Sequence, residues 1–426
     1  MYSTINLITR IPVFALLIAM TVLIGCDSDN GAASERALTF EGRVTDDAGF
    51  GKRANVEGAV VTAANLESSG SLTTLAGETT TEADGSFSLE VDGATNVVVL
   101  KAEKETFASE VLVLHELETG GTVRTMPMTV ESEAEAAVYV EGARNGSAGE
   151  ELTVADVTVY VNERLAAEWK AGGTTAAQIV AALEASAEAE TNFIAGDDDA
   201  EVSPDEVRRE EEGSFLTFQA ELNAAATASA QTEAVSAFEQ ALIAAYTEAG
   251  ASLEAQAKAR QAARAALVKF YSQAGTQARF ALRQQAEILT SLATCRAIEA
   301  AFEAESASEA RLNSLAQARA DLMAALRAAS SEAAMANAHA TYEADVEAEL
   351  MAELNISTAV LALVETALTT AKSALDASVA GAASATAVAT AYTTFYTTAE
   401  TSAQTTLATT GNAEFGAGVL ALLSAQ

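Results

Sequence analysis

Between Leu38 and Val130 apolar and polar residues alternate with a period of two, in the runs LTFEGRVTD, GAVVTAANLE, TTTEADGSFSLEV and NVVVLKAEKETFASEVLVL. Glycine- and aspartate-rich segments separate these runs, so each reads as a short strand closed by a turn. Several such strands at this spacing predict a small antiparallel β-sandwich over residues 38–130. Asp84-Gly85 is the sharpest turn signal. Glycine admits a positive φ there, and the alternation that follows sends Phe87 and Leu89 to one face.

Beyond Val130 the period changes. Alanine and glutamate dominate, and apolar residues recur at helical spacing: Val154, Val157, Val161 and Leu165 form one stripe, and Phe238, Leu242 and Tyr246 another. Between Thr276 and Ala380 there is neither glycine nor proline, which predicts almost unbroken helix. Gly250 and Gly275 mark breaks, with Ser252 placed to cap the helix after the first. Ser306-Ala307-Ser308-Glu309 reads as a capping box inside the long span. The pattern predicts six to eight helices in a large antiparallel, alanine-rich bundle over 131–426, with a sub-boundary near 195–213. From about Leu368 the chain turns threonine-, alanine- and serine-rich and closes on apolar Val419–Leu423, either a last helix or a fraying tail. The fold class is therefore multidomain β + α.

Charge narrows the partners. The formal net charge is −36, and only seven of the 24 basic residues are lysine. Such a surface repels nucleic acid and anionic headgroups, so no nucleic acid is expected as a partner. An acidic, lysine-poor surface also suits high salt, where screening relieves self-repulsion.

The first residues carry a separate signal. Arg10 precedes an apolar run from Ile11 to Ile24, interrupted by Pro12 and Thr21. The run falls short of the about 20 apolar residues a membrane span needs, and with its basic start it reads as a secretory signal peptide over 1–25. Leu23-Ile24-Gly25-Cys26 then resembles the lipobox of bacterial lipoproteins. The resemblance implies cleavage before Cys26, acylation of its sulfur, and a membrane partner held through lipid. A single acyl chain binds only marginally, at about 0.8 kcal/mol per buried methylene, whereas two or more hold stably. Residues 26–37, opening with Asp27, Ser28, Asp29 and Asn30, read as a lipidated acidic tether. The expected location is the cell envelope, at the outer membrane or cell surface.

Three pieces of the β region resemble the carboxypeptidase-regulatory-like domain, a transthyretin-like sandwich common in secreted and surface bacterial proteins. They are Gly42-Arg43-Val44-Thr45-Asp46, Gly58-Ala59-Val60-Val61 and Thr81-Glu82-Ala83-Asp84-Gly85-Ser86-Phe87-Ser88-Leu89. The resemblance implies a module of display and interaction, and names no ligand.

Candidate chemistry is sparse. The segment from Ala195 to Glu206 is similar to an EF-hand loop, with Asp197, Asp199, Glu201, Ser203 and Glu206 at ligand positions. Ala195 replaces the first ligand and Ala200 the central glycine, so calcium there is expected to be weak. Ser203-Pro204-Asp205-Glu206 also makes a complete helix start by itself, with the acids before it a solvated loop. His339 shares a helical face with Glu332 and Glu343, but metal-binding bundles need two Glu-x-x-His motifs. The second histidine, His115, lies in the β region, so the face of His339 reads as solvated. His115-Glu116 lacks the second histidine of a zinc motif. Cys295 lies on a stripe with Ile288, Leu292 and Phe302 and reads as a buried hydrophobe. Trp169 reads as core. No catalytic residue is predicted, and no cofactor beyond weak calcium. The chain reads as a lipid-anchored envelope protein with a structural, adhesive or binding role toward a protein or glycan. Its alternative is a calcium-responsive binding protein, and an enzyme would need a deep pocket lined by perturbed carboxylates.

Overall fold

A computed structural model of the chain describes residues 37–46, 54–115, 121–149, 152–196, 202–225, 227–271 and 275–426. A β region precedes an all-helical remainder. The strands are β1 (Leu38–Arg43), β2 (Thr45–Asp46), β3 (Ala54–Asn55), β4 (Val60–Leu66), β5 (Leu72–Thr80), β6 (Ser86–Val91), β7 (Val97–Lys104), β8 (Phe107–Leu114) and β9 (Thr122–Arg124). They form a four-stranded sheet in the order β5-β4-β7-β8, a three-stranded sheet β6-β1-β9, and the pair β2-β3.

One feature departs from the sequence expectation. The β1–β9 pair is parallel, with Thr39 opposite Thr122, so the region is not wholly antiparallel. The turn at Asp84-Gly85 joins β5 to β6, which belong to different sheets. Its chemistry follows the sequence. Gly85 has φ +76°, the Asp84 carboxylate accepts from the Ser86 amide at 3.0 Å, and Phe87 and Leu89 are buried. A side chain at Gly85 would also strike the Val44 carbonyl.

The helices are α1 (Val130–Asn145), α2 (Val154–Tyr160), α3 (Glu163–Lys170), α4 (Ala176–Ala195), α5 (Pro204–Ala224), α6 (Ala228–Glu248), α7 (Leu253–Phe270), α8 (Thr276–Ala304), α9 (Glu309–Ala328), α10 (Glu332–Leu354), α11 (Thr358–Gly381), α12 (Ala385–Leu407) and α13 (Ala413–Ser424). These thirteen, counted among the described residues, exceed the six to eight expected because many breaks need no glycine. The stripe from Val154 to Leu165 spans two helices, parted where Asn162 caps α3 by accepting from the Leu165 amide. In the span without glycine or proline, Ser306 and Asn355 take left-handed conformations (φ 60° and 52°) where α8 and α10 end. The cap of α9 is Ser308 rather than Ser306, and Ser252 caps α7 as its position predicts.

The threonine-rich end is helical. Along α12, hydroxyls such as those of Thr390, Thr394 and Thr398 donate to carbonyls four residues back, which spares them from competing with the helix ladder. Val419, Leu420, Leu422 and Leu423 of α13 are buried. Among the described helices, α11 alone is long and apolar enough to cross a membrane, and its Leu361, Val364, Leu368 and Leu375 stripe is buried.

Two hydrophobic cores organise the packing. The first runs from Phe40, Leu100 and Leu112 of the sheets into Val138 of α1, Val157 of α2, Leu165 of α3 and Ile179 of α4. The second joins Phe302 of α8, Val346 of α10, Val364 of α11 and Val388 of α12. Helix α1 is tied to the sheet, since the Ser132 hydroxyl donates to the Glu110 carbonyl of β8 at 2.7 Å. Helix α7 packs between α4 and α8, bringing residues far apart in sequence to one seam.

Candidate functional site

Of the residues singled out in the sequence, Cys26, Asp197, Asp199 and Glu201 lie outside the described residues. Ser203 stands at the N-cap of α5 with Pro204 at N1, but its hydroxyl makes no capping bond. The Glu206 amide is bonded instead to the Ser203 carbonyl at 3.0 Å, and the Glu206 side chain is exposed. Among the described residues no group of three histidine, cysteine, aspartate or glutamate side chains is placed to hold a metal ion.

Cys295 is fully buried in α8, and burial pushes its thiol up to about 12. Trp169 is partly buried against the first core. His115 is buried edge-on to the Phe40 ring at 5.9 Å. His339 is not on a solvated face. Its Nε2 lies 3.4 Å from the Glu287 carboxylate and its Nδ1 3.1 Å from the Gln426 amide oxygen, while Glu332 pairs with Arg283.

The arrangement with chemical capacity lies elsewhere, in a cavity of about 440 Å³ among α2, α4, α5, α6 and α7. Helix α2 is opened by a capping box in which the Asp156 amide donates to the Thr153 hydroxyl at 3.0 Å. The Asp156 carboxylate accepts back from the Thr153 amide at 3.1 Å, which fixes Asp156 at the cavity wall. Helix α4 lays Leu183, Ser186 and Glu190 along the wall at helical spacing, helix α5 supplies Arg208 and Glu211, and Tyr246 and Arg260 come from α6 and α7.

Arg260 Nε lies 2.8 Å from the Glu190 carboxylate, and its guanidinium covers the Tyr246 ring at 5.1 Å. Both members of the ion pair are about 5% exposed. Burial, helped by the nearby Asp156, pushes Glu190 up to about 7 against the pull of Arg260. Burial likewise pushes the Tyr160 hydroxyl up to about 12. Glu211 is only 4% exposed. Among the described residues it has no hydrogen-bond or ion-pair partner, and burial, then the charge of Asp156, holds its pKa well above the carboxylate range. Leaving a buried carboxyl without a partner costs free energy unless the group stays protonated or meets a ligand.

A second cavity, about 660 Å³, opens between the end of the β region and α1, α2, α3, α5, α6 and α8. Its buried acids are partnered. Glu135 accepts from the Thr158 hydroxyl at 3.4 Å, and Glu239 accepts from Gln285 at 3.1 Å and pairs with Arg327. Unmet bonding capacity separates the first cavity from the second.

None of Asp156, Glu190, Glu211 and Arg260 stands out by motif. The available signal was an acid on an apolar stripe: Glu190 sits one helical turn from Ile194 and two from Leu183, where a solvated residue has no place. No protein-family model, no curated protein and no solved structure matches the chain.

Proposed function

We propose that the chain is a lipid-anchored cell-envelope protein that binds its ligand without transforming it. In this reading a small β-sandwich resembling the carboxypeptidase-regulatory-like domain, and an antiparallel helical bundle behind it, hold one ligand cavity. The cavity lined by Glu211, Glu190, Asp156 and Arg260 carries the reading, because a cavity with an unpartnered buried carboxyl has something left to bind. The lipobox-like Leu23–Cys26 supports the anchor, and Asp27–Asn30 a short solvated tether. The test has two arms. Metabolic labelling with a fatty-acid analogue should mark the parent chain and not Cys26→Ser. A panel of small molecules of mixed charge should include compounds that raise the melting temperature of the parent chain but not of Ser186→Phe, which fills the cavity. If no compound separates the two proteins, the cavity is not a ligand site.

A second reading, catalysis in the same cavity, is favoured by the titration of Glu190 near neutrality beside Glu211, since a carboxyl poised near 7 suits general acid–base work. It requires turnover that Glu190→Gln abolishes with the fold intact. Protection without turnover supports the binding reading.

A further inference from the structure

We infer that the cavity between α2, α4, α5, α6 and α7 takes a small organic ammonium ion, a primary amine on an apolar stem, with Glu211 as its counter-ion and Asp156 and Glu190 beside it. The inference rests on the cavity being the ligand site and adds the ligand's chemical class.

The charges lead to it. Acidic side chains on the wall are Asp156, Glu188, Glu190 and Glu211, and the basic ones are Arg208 and Arg260. Arg260 is engaged by Glu190 at 2.8 Å, and Arg208 donates to the Gly149 carbonyl at 2.6 Å. Among the described residues Asp156 accepts from Thr153 alone and Glu211 accepts from no donor. Carboxyl groups on the wall therefore outnumber cationic side chains, four to two. An anion would add to that excess. An ammonium group answers it with one positive charge and three donors. A divalent metal ion answers the charge as well, but it needs several oxygen ligands converging at about 2–2.6 Å. No such convergence exists among the described residues. Leu152, Leu183, Ile194 and Val207 complete the wall and give the stem an apolar surface. The volume, about 440 Å³, lies in the range of small-molecule sites.

Without ligand, burial favours the protonated form of Glu211, because an unpaired buried carboxylate is costly. Binding then exchanges that proton for the ammonium. Glu211–COOH becomes a carboxylate paired with the cation, and one proton leaves to solvent. The charged and titratable groups facing Glu211 are Asp156 and Tyr160 on α2, Glu188 and Glu190 on α4, Arg208 and Glu212 on α5, Tyr246 on α6 and Arg260 on α7. Burial pushes Tyr160 up to about 12 and holds Tyr246 well above the ordinary phenol range, while Glu190 rises to about 7. Proton release and tightening with rising pH therefore report Glu211 together with Glu190.

The experiment is isothermal titration of the full chain carrying Cys26→Ser, which keeps every cavity residue. The probes are hexylammonium, 1-hexanol, hexanoate and calcium chloride, each at pH 6 and pH 8 in two buffers of different ionisation enthalpy, neither a primary amine nor phosphate. Hexylammonium should bind at least tenfold more tightly than hexanol or hexanoate, and more tightly at pH 8 than at pH 6. Its apparent enthalpy should differ between buffers as proton release requires. Glu211→Gln should weaken it at least tenfold, with Glu211→Asp, which keeps the charge, falling between. Equal binding of hexanol and hexylammonium, or ammonium binding indifferent to Glu211→Gln, overturns the inference. Calcium binding abolished by Glu211→Gln overturns it in favour of a metal. Hexanol or hexanoate binding that Ser186→Phe removes, with none from hexylammonium, overturns the ligand class and leaves the cavity reading standing. If no probe shows binding sensitive to Ser186→Phe, the cavity reading falls with it.

Discussion

Arg264 meets Glu287 at 2.7 Å across the seam between α7 and α8, and both side chains are almost wholly withdrawn from water. The same guanidinium donates to the Ala425 carbonyl at 3.1 Å, and His339 approaches Glu287 from α10. Burial opposes ionisation of Glu287, but Arg264 and His339 prevail and hold it well below the ordinary carboxylate range. Its contribution to stability is therefore present above the unfolded carboxylate pKa and is lost as pH falls toward the folded one. Removing the arginine strands the acid. Arg264→Met should cost about 3 kcal/mol, because breaking a buried pair leaves an uncompensated charge. Arg264→Met with Glu287→Met should recover most of that loss. Urea denaturation of the single and double variants checks both, and a double variant no more stable than the single one would refute the pairing argument.

Glu211 predicts the opposite pH dependence. Burial raises its pKa in the folded chain, so stability is complete below the unfolded carboxylate pKa and falls as pH rises through the folded value. Glu211→Met, close in volume and without charge, should gain about 1–3 kcal/mol at pH 8, the scale of an unsatisfied buried polar group. The gain should shrink at pH 4, where the carboxyl is protonated in both states. A gain equal at the two pH values would show that packing, not ionisation, is responsible.

Local chemistry was legible and long-range chemistry was not. Asp84-Gly85 and Ser252 are read from neighbours within a few residues, and their turn and cap form as those neighbours dictate. Ser306 and Ser308 illustrate the limit of that reading. Both are cap-type serines, and only the left-handed backbone at Ser306 assigns it to the end of α8 and leaves the start of α9 to Ser308. Asn355 does what glycine usually does, so the end of α10 left no glycine or proline to read. The parallel pairing of β1 with β9 joins segments some 80 residues apart, and strand pattern carries no information about partners. Glu190 and Arg260 share a site only because α7 packs on α4.

The contact between the sheet and α1 gives a third prediction. The Ser132 hydroxyl bonds to β8, and Gly70, in the β4–β5 turn at φ +74°, lies where any side chain would strike the Arg144 backbone. The first core likewise passes from Leu112 to Val138. A fragment ending at Val130 exposes that face, whereas one ending at Gly146 keeps it covered. Circular dichroism should show a cooperative melt for residues 37–146 at a higher temperature than for residues 37–130. In the longer fragment Gly70→Val should remove most of the difference. If the two fragments melt alike, α1 contributes nothing to the β region.

The acidic segment before α5 gives the last. Ala195 and Ala200 stand where a working calcium loop places its first ligand and its central glycine. At the described end of the segment Glu206 is exposed in the first turn of α5, where a negative charge already suits the helix N-terminus without a metal. A ligand at ten times its Kd adds only about 1.4 kcal/mol, so a weak site would shift the melting temperature slightly. A chain of net charge −36 is stabilised by any cation that screens it, which makes the salt control decisive. Calcium chloride should therefore raise the melting temperature no more than sodium chloride of matched ionic strength, and Glu206→Gln should leave both shifts unchanged. A calcium shift in excess of the sodium shift that disappears in Glu206→Gln, with Asp197→Asn and Asp199→Asn acting alike, would reject this expectation. The segment would then be the switch of a calcium-responsive protein.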